Sequence, residues 1–143
     1  MASGGVHLLS GFAIGTLAPS RPVAFAGGIA SHAVLDAAPH RDYVSWSANA
    51  IDTAAAVGLA AVLAGRLPKE RRVRAFLGAI GGVLPDMETV AFKAGFLPAE
   101  RRVFPSHSGL IRHGRAGAGW TAALSIASVV AAGLAVRAIR SGA

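Results

Sequence analysis

A histidine and an aspartate near the start of the chain have the spacing of a metal-binding pair. His32 and Asp36 are four residues apart, so on a helix both side chains lie on one face, one turn apart. An imidazole and a carboxylate so placed can bind one divalent cation, or one can orient the other. Pro39 ends the helix, and His40 and Asp42 fall in the following turn. A simple His–Asp hydrogen bond at a polar helix end explains the pair equally well.

Two further carboxylates, Asp86 and Glu88, follow Pro85 inside an apolar stretch. Proline at the first helical position with acids in the first turn makes a favourable helix start. However, a carboxylate at the centre of a membrane helix costs about 2.5–3.5 kcal/mol on insertion scales. Beside the Gly81-Gly82 pair, these two acids are more typical of ligands or of a proton-handling site.

The remaining histidines and Asp52 are weaker candidates. Ser106 and Ser108 flank His107 and could cap a turn or orient a side chain, although a solvated loop is the alternative. For His113 an ordinary loop position is favoured, and His7, which opens the first apolar stretch, gains weight only from the other residues. Asp52 could pair with an arginine or support a ligand.

Composition indicates that these residues belong to a membrane protein. The chain has 143 residues, of which 53% are hydrophobic and 15% charged, with no cysteine and a net charge of +7. A disordered chain, a disulfide scaffold and a cysteine zinc finger are therefore excluded. The basic residues form short clusters between apolar segments, a pattern typical of membrane topology, so we expect no nucleic-acid partner.

The chain predicts an all-α, polytopic transmembrane helical bundle that forms one domain, residues 1–143. About five apolar helices are expected, and the fourth is broken by its glycines and Pro85. Their boundaries are 5–18, 22–38, 47–65, 75–97 and 117–136. Small residues are frequent in these segments, and small side chains let membrane helices approach closely.

Five crossings place all the histidines and the acids of the apolar segments toward one membrane face. The loop 66–74, the link 19–21 and the C-terminal tail then share the other face, which carries more Lys and Arg and is expected in the cytoplasm. If the fourth segment is re-entrant, both Arg-rich loops lie inside, and His107 and His113 lie opposite His40.

Four elements together resemble a family of small integral-membrane proteins that are classed by their motifs as metal-dependent hydrolases. The elements are His7 in an opening apolar helix, His32-x3-Asp36 before Pro39, Leu84-Pro85-Asp86, and Ser106-His107-Ser108. The likeness covers most of residues 5–113 as scattered motifs. The chain departs from the family in having Glu88 where aspartate is frequent, in lacking a His-Arg pair before the Ser-His-Ser element, and in placing His-x3-Asp early.

This resemblance implies a hydrolase with a divalent metal site near one membrane face. The expected metal ligands are His7, His32, Asp36, Asp86 and His107. Mixed imidazole and carboxylate ligation favours Zn²⁺, Mn²⁺ or Fe²⁺ over Ca²⁺. The cation would activate water for attack on an ester or phosphoester, with Glu88 or His40 as general base.

The position of the site at the lipid–water boundary suggests a lipid-linked substrate. We expect the chain to reside in the lipid bilayer of a prokaryotic cytoplasmic membrane, as a homo-oligomer or within a larger membrane complex. A non-catalytic subunit or assembly factor is the alternative function. A small proton-coupled carrier using Asp52, Asp86 and Glu88 is a third, although no internal repeat supports it.

Overall fold

The computed structural model describes residues 3–40, 45–111, 114 and 117–142. Within these residues all regular structure is helical and no strand occurs, which confirms the all-α prediction for the described part of the chain. The elements are α1 (Gly4–Leu17), α2 (Arg21–Ala37), α3 (Trp46–Ala64), α4 (Lys69–Val83), α5 (Asp86–Lys93), a 3-10 helix (Ala99–Arg101) and α6 (Ala118–Ser141).

Serine side chains set the starts of the first three helices. The hydroxyl groups of Ser3, Ser20 and Ser45 each accept a hydrogen bond from a backbone N–H in the first turn. These N–H groups have no partner within the helix itself, so a serine cap stabilises the helix start by about 0.5–2 kcal/mol. The local sequence therefore fixes where α1, α2 and α3 begin.

The fourth apolar segment is divided at Leu84 and Pro85. A proline has no N–H to donate to the carbonyl four residues earlier, and its ring collides with that carbonyl. The two resulting helices, α4 and α5, are bent by 41° relative to each other. The predicted break is thus present, and its shape fits both a broken span and a re-entrant loop.

The predicted loop 66–74 is wrong for most of its length, because α4 already begins at Lys69. Lysine, arginine and glutamate are good helix formers, and Pro68 precedes the first turn, where Glu70 suits the positive helix start. The last helix also extends beyond the predicted end, to Ser141.

Two helices, Trp46–Ala64 and Gly119–Ser141, are long and apolar enough to cross a membrane, and the bent pair α4–α5 would make a third span. At 1.5 Å per residue the 14-residue α1 reaches only about 21 Å, which is shorter than the roughly 30 Å hydrocarbon core. Large apolar side chains such as Ile51 and Ile126 are exposed on the two long helices. These features are compatible with a membrane protein.

The central helix α1 packs against α2, α3, α4 and α6. Glycines allow its closest approaches, since a β-carbon on Gly11 would overlap the carbonyl oxygen of Gly78 in α4. A β-carbon on Gly28 in α2 would overlap the same oxygen. Backbones in such contact are a recurrent way of packing helices that have little other driving force to associate.

Successive long helices run in opposite directions. Arg74 at the start of α4 bonds to Ala18 at the end of α1, while Gly82 near the end of α4 lies against His7 at the start of α1. The starts of α1 and α3 are hydrogen-bonded, and the starts of α1 and α6 line a common cavity. We call the end that carries His7 and His32 the histidine end, and the end that carries Arg71 and Arg74 the arginine end.

Candidate metal centre

Asp36, in the last turn of α2, lies at the centre of the histidine end. Its carboxylate is 1% exposed. His7 Nε2 lies 3.2 Å from Oδ1, and His32 Nε2 lies 3.2 Å from Oδ2. His107 Nε2, from the segment after the 3-10 helix, is 3.5 Å from the same Oδ2. Three imidazole nitrogens from three separate parts of the chain therefore converge on one buried carboxylate.

The rings of His7 and His32 are stacked, with centroids 3.9 Å apart and planes inclined by 19°. Both side chains are fully buried. Both Nε2 atoms lie within ion-pair distance of Asp36, yet neither of them, nor His7 Nδ1, makes a hydrogen bond of standard geometry with the described residues. Burying a polar atom without a partner costs about 1–3 kcal/mol, so three such atoms in one cluster require an explanation.

The other ring nitrogen of His32 fixes which tautomer faces the cluster. His32 Nδ1 lies 2.6 Å from the carbonyl oxygen of Gly82, and a carbonyl can only accept. Nδ1 therefore carries the proton in the neutral ring, and Nε2 presents its lone pair to the interior. A metal-ligating histidine characteristically donates its second N–H to a carbonyl or carboxylate in this way.

Glu88 holds His107 in the same manner. His107 Nδ1 lies 3.1 Å from Glu88 Oε2, so the carboxylate accepts and Nε2 is left to point at Asp36. The Glu88 carboxylate also accepts hydrogen bonds from the backbone N–H groups of Val103 and Phe104. Its described contacts thus tie the segment that carries His107 to the first turn of α5.

The two serines of the Ser106-His107-Ser108 element have different partners. Ser106 Oγ donates to Asp36 Oδ2 at 2.5 Å. Ser108 Oγ donates to the carbonyl of Pro105 and stays on the surface. Of the two predicted roles, Ser106 therefore orients a side chain and Ser108 caps a turn.

Asp86 completes the cluster from the start of α5. Its Oδ1 lies 4.0 Å from His32 Nε2. The same residue lies in the wall of an open apolar groove of about 390 Å³ between α3 and α5, together with Trp46, Ala50, Val57 and Met87. The groove thus leads from an exposed apolar surface to a carboxylate of the cluster.

His40 lies beside the cluster but is held separately. Its Nδ1 donates to the carbonyl of Ala38 at 2.8 Å, which fixes the ring just after the end of α2. His40 and His7 line opposite parts of a small cavity that α6 closes with Thr121 and Leu124. The predicted candidates Asp42 and His113 lie outside the described residues.

Asp52 has described contacts that differ from both predicted roles. Its Oδ2 accepts hydrogen bonds from Ser3 Oγ at 2.6 Å and from the backbone N–H of Gly5 at 2.8 Å. Asn49 accepts from the backbone N–H of Gly4. These two α3 side chains satisfy free N–H groups at the start of α1, one turn before His7. Sequence alone gave no signal for this cap, because the partners are more than 40 residues apart.

The spacing of these atoms suits a single cation. The atoms form two groups that could hold a metal ion: His7, His32 and Asp86, and His32, Asp36 and His107. Two ligands about 2.1 Å from one tetrahedral zinc ion lie roughly 3.4 Å apart. The three distances to Asp36 span 3.2–3.5 Å. Because His32 Nδ1 is hydrogen-bonded to the carbonyl of Gly82, the two groups share the single ligand atom His32 Nε2 and can hold one ion at a time.

The chemical types of the candidate ligand atoms also suit a divalent cation. Imidazole nitrogens and carboxylate oxygens are borderline to hard donors, which suit zinc and other first-row divalent ions. An ion there would also bind the buried Nε2 atoms of His7 and His32, which make no hydrogen bond with the described residues. The described residues thus fit a divalent cation.

No protein-family model matches the chain, and no curated protein or solved structure is significantly similar to it.

Proposed function

We propose that this protein is a membrane-embedded, metal-dependent hydrolase acting on an ester or phosphoester. The observation that carries the proposal is the pair of buried Nε2 atoms on His7 and His32 that face two carboxylates, Asp36 and Asp86, without a hydrogen-bond partner among the described residues. A purely structural histidine would be expected to pair both of its nitrogens when fully buried. The motif resemblance to membrane metal-dependent hydrolases adds the reaction class.

Five side chains would hold the cation: His7, His32, Asp36, Asp86 and His107. Zn²⁺, Mn²⁺ or Fe²⁺ would match this donor set. When bound, such an ion supplies a Lewis acid and lowers the pKa of coordinated water toward neutrality. Water would reach it from the side of Asp86, which is the carboxylate that borders an open groove.

The residues around this set have positioning roles in the proposed reaction. Glu88 fixes the tautomer of His107, and Gly82 fixes that of His32, so that each presents a lone pair. Ser106 holds one oxygen of Asp36. Because Glu88 already accepts three hydrogen bonds, we favour His40 over Glu88 as the group that takes up a proton during hydrolysis.

The substrate proposed here carries a hydrocarbon chain. The groove that ends at Asp86 has mainly apolar walls and opens between α3 and α5, where Trp46, Val57 and Met87 are about half exposed. In a five-crossing arrangement within a prokaryotic cytoplasmic membrane, that opening faces lipid. A lipid-linked ester could then place its chain in the groove and its polar bond next to the cluster.

Metal analysis of the detergent-purified protein tests the cation site. Wild type should contain about one divalent ion per chain, and His32→Ala and Asp36→Ala should each lose it. Glu70→Gln is the matched control, because it alters an exposed acidic side chain at the arginine end and should leave the metal content unchanged. A metal-free wild type, or retention of metal by both alanine variants, contradicts the site.

Hydrolysis is tested separately with chromogenic ester and phosphodiester substrates on protein loaded with zinc, manganese or iron. Wild type should cleave one of the two classes, and His107→Ala should not. If the metal is bound but neither class is cleaved, the site is not hydrolytic towards these bonds. If no metal binds and a larger membrane protein copurifies stably, the result supports the alternative of a non-catalytic subunit.

A further inference from the structure

A basic hollow lies at the arginine end of the molecule, away from the histidine cluster. It has a volume of about 480 Å³ and is formed where the last turns of α3 and α6 diverge. Its walls include the apolar side chains of Leu63 and Val136 and three arginines, Arg66, Arg137 and Arg140. Hollows of this size are in the range that accommodates small ligands.

Most of the neighbouring arginines at this end already have partners. Arg71 and Arg74 donate to carbonyls at the end of α1, and Arg72 donates to carbonyls at the end of α3. Arg21 forms a bidentate pair with Glu70. These four arginines and Glu70 connect helix ends through contacts with protein atoms, and they need no further ligand.

The three arginines of the hollow differ from these four. Arg66, Arg137 and Arg140 are exposed. Their side chains make no hydrogen bond or ion pair with the described residues, and no described carboxylate lines the hollow. Carbonyl groups at the ends of α3 and α6 supply only partial negative charge. Three like charges around one concave surface therefore lack a counter-charge, and a bound anion would supply it.

We propose that this hollow binds the phosphate group of an anionic phospholipid. The guanidinium fork matches two phosphate oxygens at once, and three forks around one hollow can surround a phosphate. The hollow lies at the ends of both helices that are long and apolar enough to cross a membrane, Trp46–Ala64 and Gly119–Ser141. A lipid headgroup would lie at that level, and the apolar wall beneath the arginines would contact its chains. This site is independent of the proposed hydrolase.

Lipid titration of the full chain in a neutral detergent tests the proposal. Dioctanoyl phosphatidylglycerol, dioctanoyl phosphatidylcholine and inorganic phosphate are compared by calorimetry. The phosphatidylglycerol should bind more tightly than the other two. Because each arginine near an anionic lipid contributes about a fivefold gain in affinity, the double substitution Arg137→Gln and Arg140→Gln should weaken its binding about thirtyfold.

The double substitution Lys69→Gln and Arg101→Gln is the matched control. It removes the same net charge from exposed positions outside the hollow and should change the affinity little. Equal weakening by the two double variants would show a nonspecific charge effect and overturn the proposal. Tighter binding of inorganic phosphate than of the lipid, or no preference for phosphatidylglycerol over phosphatidylcholine, would also overturn it.

Discussion

The two ends of the bundle differ in how completely their polar side chains are hydrogen-bonded. At the arginine end, Arg71, Arg72 and Arg74 donate to backbone carbonyls at the ends of α1 and α3. At the histidine end, His7 and His32 face carboxylates in the interior, yet three of their nitrogens have no hydrogen-bond partner among the described residues. The first arrangement is complete with protein atoms alone, whereas the second leaves buried nitrogen atoms in groups that could hold a metal ion.

This difference separates structural polar residues from candidate functional ones more clearly than burial does. Both ends contain charged side chains in contact with apolar helices. Among the described residues, the histidine end brings together candidate ligands from α1, α2, α5 and the segment that carries His107. Convergence from distant parts of the chain, combined with unpaired nitrogen atoms, is therefore the useful signal.

The largest expected effect comes from removing the central carboxylate of the histidine end. Asp36→Ala in the metal-free protein should lower the free energy of unfolding by about 3–5 kcal/mol, because it removes the buried carboxylate that lies within ion-pair distance of three imidazoles. Denaturant titration in detergent measures the loss. A change below about 1 kcal/mol would contradict the central role of Asp36 at the histidine end.

A smaller effect is expected at the arginine end. Arg74→Met should lower the free energy of unfolding by about 1.5–3 kcal/mol, because Arg74 Nη1 donates to the carbonyls of Ala18 and Pro19 at the end of α1. The same titration applies, with Lys69→Met as a control at a neighbouring exposed position. Metal content should remain that of wild type, so a loss of metal in Arg74→Met would show that the two ends are coupled.

The smallest effect is expected for the exposed pair between Arg21 and Glu70. Their side chains are 56% and 63% exposed, so water and salt screen the interaction. Glu70→Gln should lower the free energy of unfolding by less than about 1 kcal/mol. The difference from wild type should shrink further in 1 M salt. A larger and salt-independent loss would place Glu70 among the residues that hold the arginine end together.

Local spacing predicted those features that depend on one helix. The four-residue interval between His32 and Asp36 predicted a shared face, and the two side chains lie 3.2 Å apart. The glycines and Pro85 predicted the break between α4 and α5. These features follow from helix periodicity and from proline's missing donor, both of which can be read without knowing the partners of the helix.

Features that depend on contacts between distant segments were not predictable in the same way. Asp52 helps to cap α1 and accepts a hydrogen bond from Ser3, which lies 49 residues earlier in the chain. Glu88 orients His107 across 19 residues. In both cases the residue type indicated a polar role, but only the packing of the helices decides which partner is within reach.

The glycine contacts among α1, α2 and α4 make the candidate site sensitive to helix register. Gly11, Gly28 and Gly78 bring three backbones into direct contact, and Gly82 both touches α1 and accepts from His32. A slide of α4 by one turn would move its residues by about 5.4 Å relative to α1 and α2. Such a slide would separate Asp86 from His32. The small residues therefore hold the helices in the register that keeps the candidate ligands of α1, α2 and α5 at the same level.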